Sequence, residues 1–295
     1  MSSEFEFIEI FQRIGADYYK ENGIILGPGD DCAIFNLNTP IVTSVDSSIE
    51  DVHFPFDAPV EDIGYRAVSI ALSDIAAMGC RPIAFSLSVS SPFNEIDWYM
   101  KLSKGVKDIA EEFRISLIGG DLTKGPLNIN AIVYGTPYDN NILRRDTAGI
   151  GDKIYISKPV GRGSAGLSAW ESGNKNSPLV KDYLRPKPMI KLGENISKVA
   201  SACIDTSDGL LTDLKKMIHS SKLGARIYLD NIPVTSDIND INKGDDYDLC
   251  FTIPKELNID NCIYIGDVTD CNEINFISEQ GYDINITGYD HFKNE

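Results

Sequence analysis

Ile204-Asp-Thr-Ser-Asp-Gly-Leu210 sets two carboxylates in a short turn directly before a helical run, Leu210 to Ser221. Four more acidic turns stand upstream: Gly-Asp-Asp at Gly29 to Asp31, Ser-Val-Asp at Ser44 to Asp46, Ser-Asp at Ser73 and Asp74, and Gly-Gly-Asp at Gly119 to Asp121. Each stands at the end of an apolar run or the start of a helical one, where a fold can bring carboxylates from distant segments to one place. Taken singly, such a dipeptide is usually a turn or a helix N-cap. Taken together they imply a shared site, because gathered acids repel one another and are assembled only where a cation offsets the charge. Hard divalent cations take oxygen ligands, and Mg²⁺ in particular is held by one or two carboxylates plus phosphate oxygens. The pattern predicts a nucleotide-phosphate site.

Around these turns the chain alternates strand and helix signals, an α/β pattern. Phe7, Ile10, Phe11 and Ile14 fall at helical spacing and Gly15 follows as a stop. Ile41 to Val45 is a β-branched run, Ala84 to Val89 puts Phe85, Leu87 and Val89 on one face, and Ile129, Ala131 and Val133 repeat the alternation. Glu61 to Met78 and Asn94 to Phe113 read as helices. Asn, Asp, Arg and Gly crowd together at Tyr138 to Gly151, and a domain boundary is expected there, giving residues 1–149 and 150–295. Beyond it, Lys153 to Ser157, Ala225 to Leu229, Leu249 to Ile253 and Cys262 to Gly266 read as strands, with helices over Met189 to Ala202 and Leu210 to Ser221. Gly161 to Gly166 fits neither a dinucleotide nor a Walker loop and reads as a helix entrance, and Glu171 to Pro178 as a polar surface loop.

Composition narrows the function classes. With 42% apolar and 24% charged residues over 295 positions, the chain is that of a globular protein large enough for two domains. Its 27 basic and 44 acidic residues give a net charge of −17, which disfavours a nucleic-acid partner. No apolar run approaches the roughly 18 residues that span a bilayer, and Met1 to Glu9 lacks the features of a signal peptide, so no membrane is expected and the location expected is cytoplasmic. Six cysteines without a Cys-x-x-Cys pair read as inert reduced thiols. The three histidines, His53, His219 and His291, are too few for a His-rich transition-metal site. Walker, protein-kinase and nucleophile-elbow motifs are all absent, so if phosphates are bound, acids and metal must do it.

Nearly the whole chain resembles the thiamine-monophosphate kinase family, within the superfamily that includes aminoimidazole ribonucleotide synthetase and selenophosphate synthetase. The resemblance rests on Gly29-Asp-Asp-Cys-Ala-Ile34, Asp46 followed by Val52-His-Phe54, Leu72-Ser-Asp-Ile-Ala-Ala-Met-Gly79 and Gly119-Gly-Asp-Leu-Thr-Lys-Gly125. It continues through Arg145-Asp-Thr-Ala-Gly-Ile-Gly-Asp152, Ile204 to Leu210, Gly244-Asp-Asp-Tyr-Asp-Leu249 and Gly288-Tyr-Asp-His-Phe292. The glycine-acid pieces are shared across the superfamily, whereas Val-His-Phe and the terminal Gly-Tyr-Asp-His-Phe are particular to this kinase.

The resemblance implies transfer of a phosphoryl group from ATP to thiamine monophosphate, the last step in making thiamine diphosphate. It implies a two-domain fold like that of aminoimidazole ribonucleotide synthetase, and a homodimer paired through the N-terminal sheets. Carried over position by position, Asp31, Ser44, Asp46, Asp74, Asp121, Asp205 and Asp208 would hold several Mg²⁺ ions, with Val45 contributing its backbone carbonyl. Gly120, Asp121, Arg145 and Ser207 would meet ATP, and His53, Asp245 and Tyr289 the thiamine substrate. Asp121, Arg145 and Asp208 would carry catalysis. Chemically this is sufficient: phosphoryl transfer needs its charge neutralised and its oxygens aligned, and a cationic fork such as Arg145 helps with both. Read without the family, Arg145 is a loop arginine beside Arg144, His53 sits on an apolar strand-like segment, and Tyr289 is an aromatic in the tail.

The chain departs from the family at three places. Asp51 replaces a glycine often found two residues before the histidine, Asp245 and Asp248 are shorter than the usual glutamates, and the second half is trimmed near Glu171 to Pro178 and Asp237 to Lys243. Two alternatives stand beside the kinase reading. One is another ATP-dependent enzyme of the superfamily, disfavoured because no Cys stands in a glycine-rich N-terminal loop and the chain ends His-Phe-Lys-Asn-Glu. The other is a non-catalytic binder of thiamine phosphates or nucleotide, which should have lost acids that this chain keeps.

Overall fold

The computed structural model describes residues 4–139, 141–282 and 284–289. Asp290, His291 and Phe292, which end the terminal motif, lie outside the described residues. The chain divides into two compact units, one of Met1–Ile75 with Cys80–Asn140 and one of Ala76–Gly79 with Asn141–Glu295.

In the first unit, α1 (Glu4–Phe11) and a small antiparallel pair, β1 (Ile24–Leu26) and β2 (Ile34–Phe35), precede the long edge strand β3 (Val42–Ile49). Then come α2 (Val60–Ala77), β4 (Cys80–Ser91), α3 (Ile96–Phe113), β5 (Ser116–Lys124) and β6 (Asn128–Pro137). The four long strands form one sheet in the order β3-β6-β4-β5, antiparallel except between β4 and β5. That parallel pair is joined through α3, as a crossover requires. Phe85, Leu87 and Val89 alternate inward on β4, as do Ile129, Ala131 and Val133 on β6, and all are buried. The two long helices lie side by side: Tyr65 donates from α2 to Glu112 at 2.9 Å and Lys104 from α3 to Glu61 at 2.7 Å. Phe7 of α1 stacks on Tyr99 of α3 with ring centroids 4.1 Å apart.

The second unit continues β7 (Lys153–Ile156), α4 (Arg162–Glu171), α5 (Pro178–Leu184), α6 (Ile190–Ile196), β8 (Ala202–Thr206), α7 (Leu210–Ser220) and β9 (Gly224–Tyr228). It ends with β10 (Asp248–Ile253), β11 (Ile263–Thr269) and β12 (Ile274–Ile277). Its sheet runs β12-β9-β11-β7-β10-β8, with one parallel pair, β12 and β9. The apolar stripe of α7, Leu210, Leu211, Leu214, Met217 and Ile218, packs into a core with Ile154, Ile204, Ile227, Cys250 and Ile265 from the strands.

The helices expected over 61–78, 94–113 and 210–221 are α2, α3 and α7, and the glycine-rich entrance opens α4 at Arg162. The helix expected over Met189 to Ala202 stops at Ile196, because Ala202 begins β8 instead. Every residue of β8 is buried, so it shows no alternation and its period cannot distinguish strand from helix. All six cysteines are free. Cys80, Cys203 and Cys250 are buried, Cys32 and Cys271 exposed, and Cys262 half-buried. Burial pushes the Cys80 thiol up to about 12 and raises those of Cys203 and Cys250 well above the ordinary value. Among the described residues no helix is long and apolar enough to cross a membrane.

Candidate active site

Three of the five acidic turns are regular structure. Ser44 to Asp46 lies within β3, Ser73 and Asp74 within α2, and Gly119 to Asp121 within β5. Strand alternation then sorts the side chains. Ser44 and Asp46 share the face of β3 that carries Val133 and Ala131 on its partner, while Val45 turns to the other face and is 62% exposed. On the shared face the Ser44 hydroxyl donates to the Asp74 carboxylate from α2. Asp46 feels both burial and the like charge of Asp74, and its carboxyl is pushed up to about 6. The strand and helix thus bring Ser44, Asp46 and Asp74 together.

Asp121 pairs in register with Ser88, whereas its neighbour Gly120 pairs with Leu87, which shares the face of Ala131 and Asp46. Asp121 is therefore on the opposite face from Asp46. Gly120 is required where it stands: a Cβ there would lie 1.9 Å from the Leu87 carbonyl oxygen. Gly120, Asp121 and Asp31 line one cavity of about 590 Å³, walled on its apolar side by Phe11, Leu117 and Tyr134. Asp31 sits in an exposed loop, and its N–H donates to the Asp30 carboxylate at 2.8 Å, a local capping role for Asp30.

In the second unit, Asp205 is the penultimate residue of β8 with 7% exposure, and Ser207 and Asp208 form the turn into α7. The Asp208 N–H donates to Asp213 Oδ2 at 2.9 Å. Lys216 places its ammonium on Asp213 Oδ1 at 2.7 Å and on the Asp208 carboxylate. Asp208 thus already has a cationic partner from its own helix. Neither Asp213 nor Lys216 stood out in the sequence, although their spacing of three on a helix is that of an ion pair. Asp245 adopts φ +74° and donates its N–H to the Ser207 carbonyl at 2.9 Å. Tyr289, 42% exposed, donates its N–H to the Asp208 carbonyl at 3.0 Å.

His53 lies in a turn after β3 rather than on a strand, and its Nδ1 accepts the Ile49 N–H at 3.1 Å, which puts the ring proton of the neutral form on Nε2. The turn begins at Asp51 with φ +60°, a left-handed conformation that glycine adopts without strain and that Asp tolerates. The Asp51 carboxylate accepts the Phe56 N–H at 3.2 Å in the same turn. Arg145 is exposed, and its carbonyl accepts from the Ser221 hydroxyl at 3.2 Å. Arg144 beside it is the arginine held locally, by Asp146 at 2.8 and 2.6 Å.

Among the described residues no three His, Cys, Asp or Glu side chains close on one point as a metal cage does. The donors that do meet, Ser44, Asp46 and Asp74, are hydroxyl and carboxylate oxygens. Such a set suits a hard divalent cation, and the mutual repulsion of Asp46 and Asp74 is the strain a cation would relieve.

Comparison with known proteins agrees along the length of the chain. Residues 29–136 match the AIR synthase related protein N-terminal domain and residues 149–256 the corresponding C-terminal domain. Thiamine-monophosphate kinase of Buchnera aphidicola subsp. Schizaphis graminum is 35% identical over 98% of this chain and 99% of its own. That of Haemophilus influenzae is 34% identical over 98% of each. The crystal structure of thiamine-monophosphate kinase from Stenotrophomonas maltophilia K279a superposes with a TM-score of 0.83 at 31% identity, covering 93% of this chain and 96% of that one. A solved structure described as AaThiL complexed with AMPPCP and TMP gives 0.80 at 26% identity, over 98% and 97%. Hydrogenase maturation protein HypE, at 18% identity and a TM-score of 0.79 over 99% of both chains, shares the fold. On two matched domains and near-complete coverage by curated relatives, the chain belongs to the thiamine-monophosphate kinase family of AIR synthase related proteins.

Proposed function

We propose that this protein phosphorylates thiamine monophosphate to thiamine diphosphate with ATP as donor. The observation that carries the reading is the end-to-end likeness to thiamine-monophosphate kinases, one relative of which was solved with AMPPCP and TMP. The joining of Ser44, Asp46 and Asp74 supports it locally. In this reading Asp31, Ser44, Val45 through its carbonyl, Asp46, Asp74, Asp121, Asp205 and Asp208 are the Mg²⁺ ligands. When bound, Mg²⁺ neutralises phosphate charge and holds donor and acceptor oxygens in line. Gly120 lines the same cavity as Asp121 and is the proposed backbone contact for phosphate, and Ser207 and Arg145 supply a hydroxyl and a guanidinium fork for nucleotide oxygens. His53, Asp245 and Tyr289 take the thiamine substrate, with Tyr289 offering its ring to the planar pyrimidine. Lys216 compensates Asp208, and a bound Mg²⁺ would take over that role.

Transfer is direct, because the acceptor phosphate already offers a nucleophilic oxygen and no side chain need be phosphorylated. The deciding assay is purified protein with ATP, Mg²⁺ and thiamine monophosphate, followed for thiamine diphosphate. No product under those conditions sinks the reading. Incubation with γ-labelled ATP alone should leave no stoichiometric label on the protein, and a label that then passes to thiamine monophosphate would replace direct transfer by a two-step course. ATP as donor supports a cytoplasmic location. The open face of the first unit's sheet carries the exposed Val45 and Ile49 beside Ser47, Ser88, Asn128 and Asn130. That face supports a homodimer paired through these sheets, with light scattering as the check.

A further inference from the structure

We propose that Asp246 is the positioning residue of the thiamine-substrate pocket, a carboxylate clasp that locks the Gly244–Asp248 loop onto the entrance of α4. The inference rests on the kinase reading and deepens it. Asp246 is 7% exposed, and its two oxygens are spent on backbone donors of a distant segment: Oδ2 accepts the Gly161 N–H at 2.6 Å and Oδ1 the Gly163 N–H at 2.9 Å. These are the donors that a helix N-terminus leaves without intrahelical partners, so the carboxylate is favoured there by hydrogen bonding and by the helix dipole. The neighbours of Asp246 on both sides need such a clasp. Asp245 and Tyr247 are non-glycine residues at φ +74° and +52°, a left-handed conformation that Asp tolerates but that is strained for Tyr and persists there only when the surroundings impose it. The contact is closed from the other side by Gly163, where a Cβ would lie 2.1 Å from the Asp245 carbonyl oxygen. The α4 entrance therefore grips the two ends of the Asp245–Asp246 peptide, one through hydrogen bonds and the other through steric fit.

The loop across from it is anchored independently. Asp208 is held by Asp213 and Lys216, and the Gly244–Asp248 loop meets that segment through the Asp245 and Tyr247 N–H groups, on the carbonyls of Ser207 and Thr206, and through Asp248, whose N–H donates to the Thr206 hydroxyl at 3.2 Å while that hydroxyl lies 3.4 Å from its carbonyl. Asp208 keeps its own anchors when the clasp is released, so the change falls first on Asp245 and the substrate side.

Two variants test this from opposite sides of the contact. Asp246→Asn keeps the shape but faces an amide N–H₂ to one of the two glycine donors. Gly163→Ala leaves Asp246 intact and pushes on the Asp245 carbonyl. Steady-state kinetics of each should show KM for thiamine monophosphate raised about 10-fold or more, with KM for ATP unchanged, because misplacement near the site is costly in the constant it touches. Equal loss against both substrates, or collapse of all activity, would assign Asp246 a general structural role and overturn the proposal, as would unchanged constants. Wild-type protein run in parallel separates the two failures: if it does not turn over thiamine monophosphate, the kinase reading itself falls.

Discussion

Asp121 and Tyr289 occupy places with different chemical consequences. Asp121 projects from a paired strand beside Gly120 into the cavity shared with Asp31. Asp121→Asn weakens a proposed ligand of the Mg²⁺ that would offset phosphate charge, and kcat should fall about 100-fold. Tyr289 stands in a tail anchored by its own N–H on Asp208. Tyr289→Ala should leave kcat near its wild-type value and raise KM for the thiamine substrate about 2- to 10-fold, the range of one lost aromatic contact. Constants unchanged in Tyr289→Ala would make the tail a structural anchor. Asp246 gives a separate, ligand-free expectation. Burial pushes its carboxyl up to about 6, against the two glycine N–H bonds and the Arg162 guanidinium, which pull the other way. A carboxyl raised above its unfolded value near 4 stabilises the fold in its protonated form, so that contribution is complete below about pH 4 and is lost as pH rises through about 6. The loss is ~3 kcal/mol, and Asp246→Asn should flatten the decline in urea stability between pH 4 and 7 relative to wild type. Asp46 titrates in both proteins and cancels in the difference. Identical slopes would contradict the assignment.

At the scale of elements, β5 shows where sequence patterns succeed and where they stop. Two adjacent glycines and an acid read as a turn, since glycine weakens a strand interior. Here the parallel partner comes so close that only glycine fits opposite Leu87, and packing overrides propensity. Gly120→Ala should therefore force β5 away from β4 and cost about 2 kcal/mol or more, read as a lower urea midpoint. A midpoint within error of wild type would mean the two strands have slack. The long amphipathic helices were legible from helical spacing, although in α3 Ile96 and Met100 of the expected apolar set are exposed and the buried stripe is Leu102, Val106 and Ile109; α7 buries Leu214, Met217 and Ile218. The buried strand β8 was not, since burial on both faces erases the period, nor was the short edge strand β12. Within the candidate site, acid spacing singled out residues but not their grouping. Strand alternation sends Asp46 and Asp121 to opposite faces of one sheet, and that depends on registers set by residues far away in sequence. The Asp51 departure became intelligible from a single dihedral angle, φ +60°, which no sequence pattern displays.

For the molecule as a whole, ligand and stability should be linked. A ligand that binds only the folded state at 100 times its Kd adds ~2.7 kcal/mol, and Mg²⁺ with a non-hydrolysable ATP analogue should raise the melting temperature accordingly. An unshifted melt at saturating analogue would count heavily against the proposed nucleotide site. The division of the chain into two compact units leaves one further question, whether they come apart together or in turn, and the cysteines answer it. Cys80 begins β4 in the first unit, while Cys203 and Cys250 face the interior of the second. Each is shielded, and burial keeps its thiol protonated and so unreactive. Pulses of an alkylating reagent along a urea gradient, read by peptide mass, should tag Cys32 and Cys271 throughout and the three shielded thiols only as their own unit opens. Coincident tagging of Cys80 with Cys203 and Cys250 means a single cooperative transition, and separated midpoints mean two, so the protein carries natural clocks for the unfolding of each half.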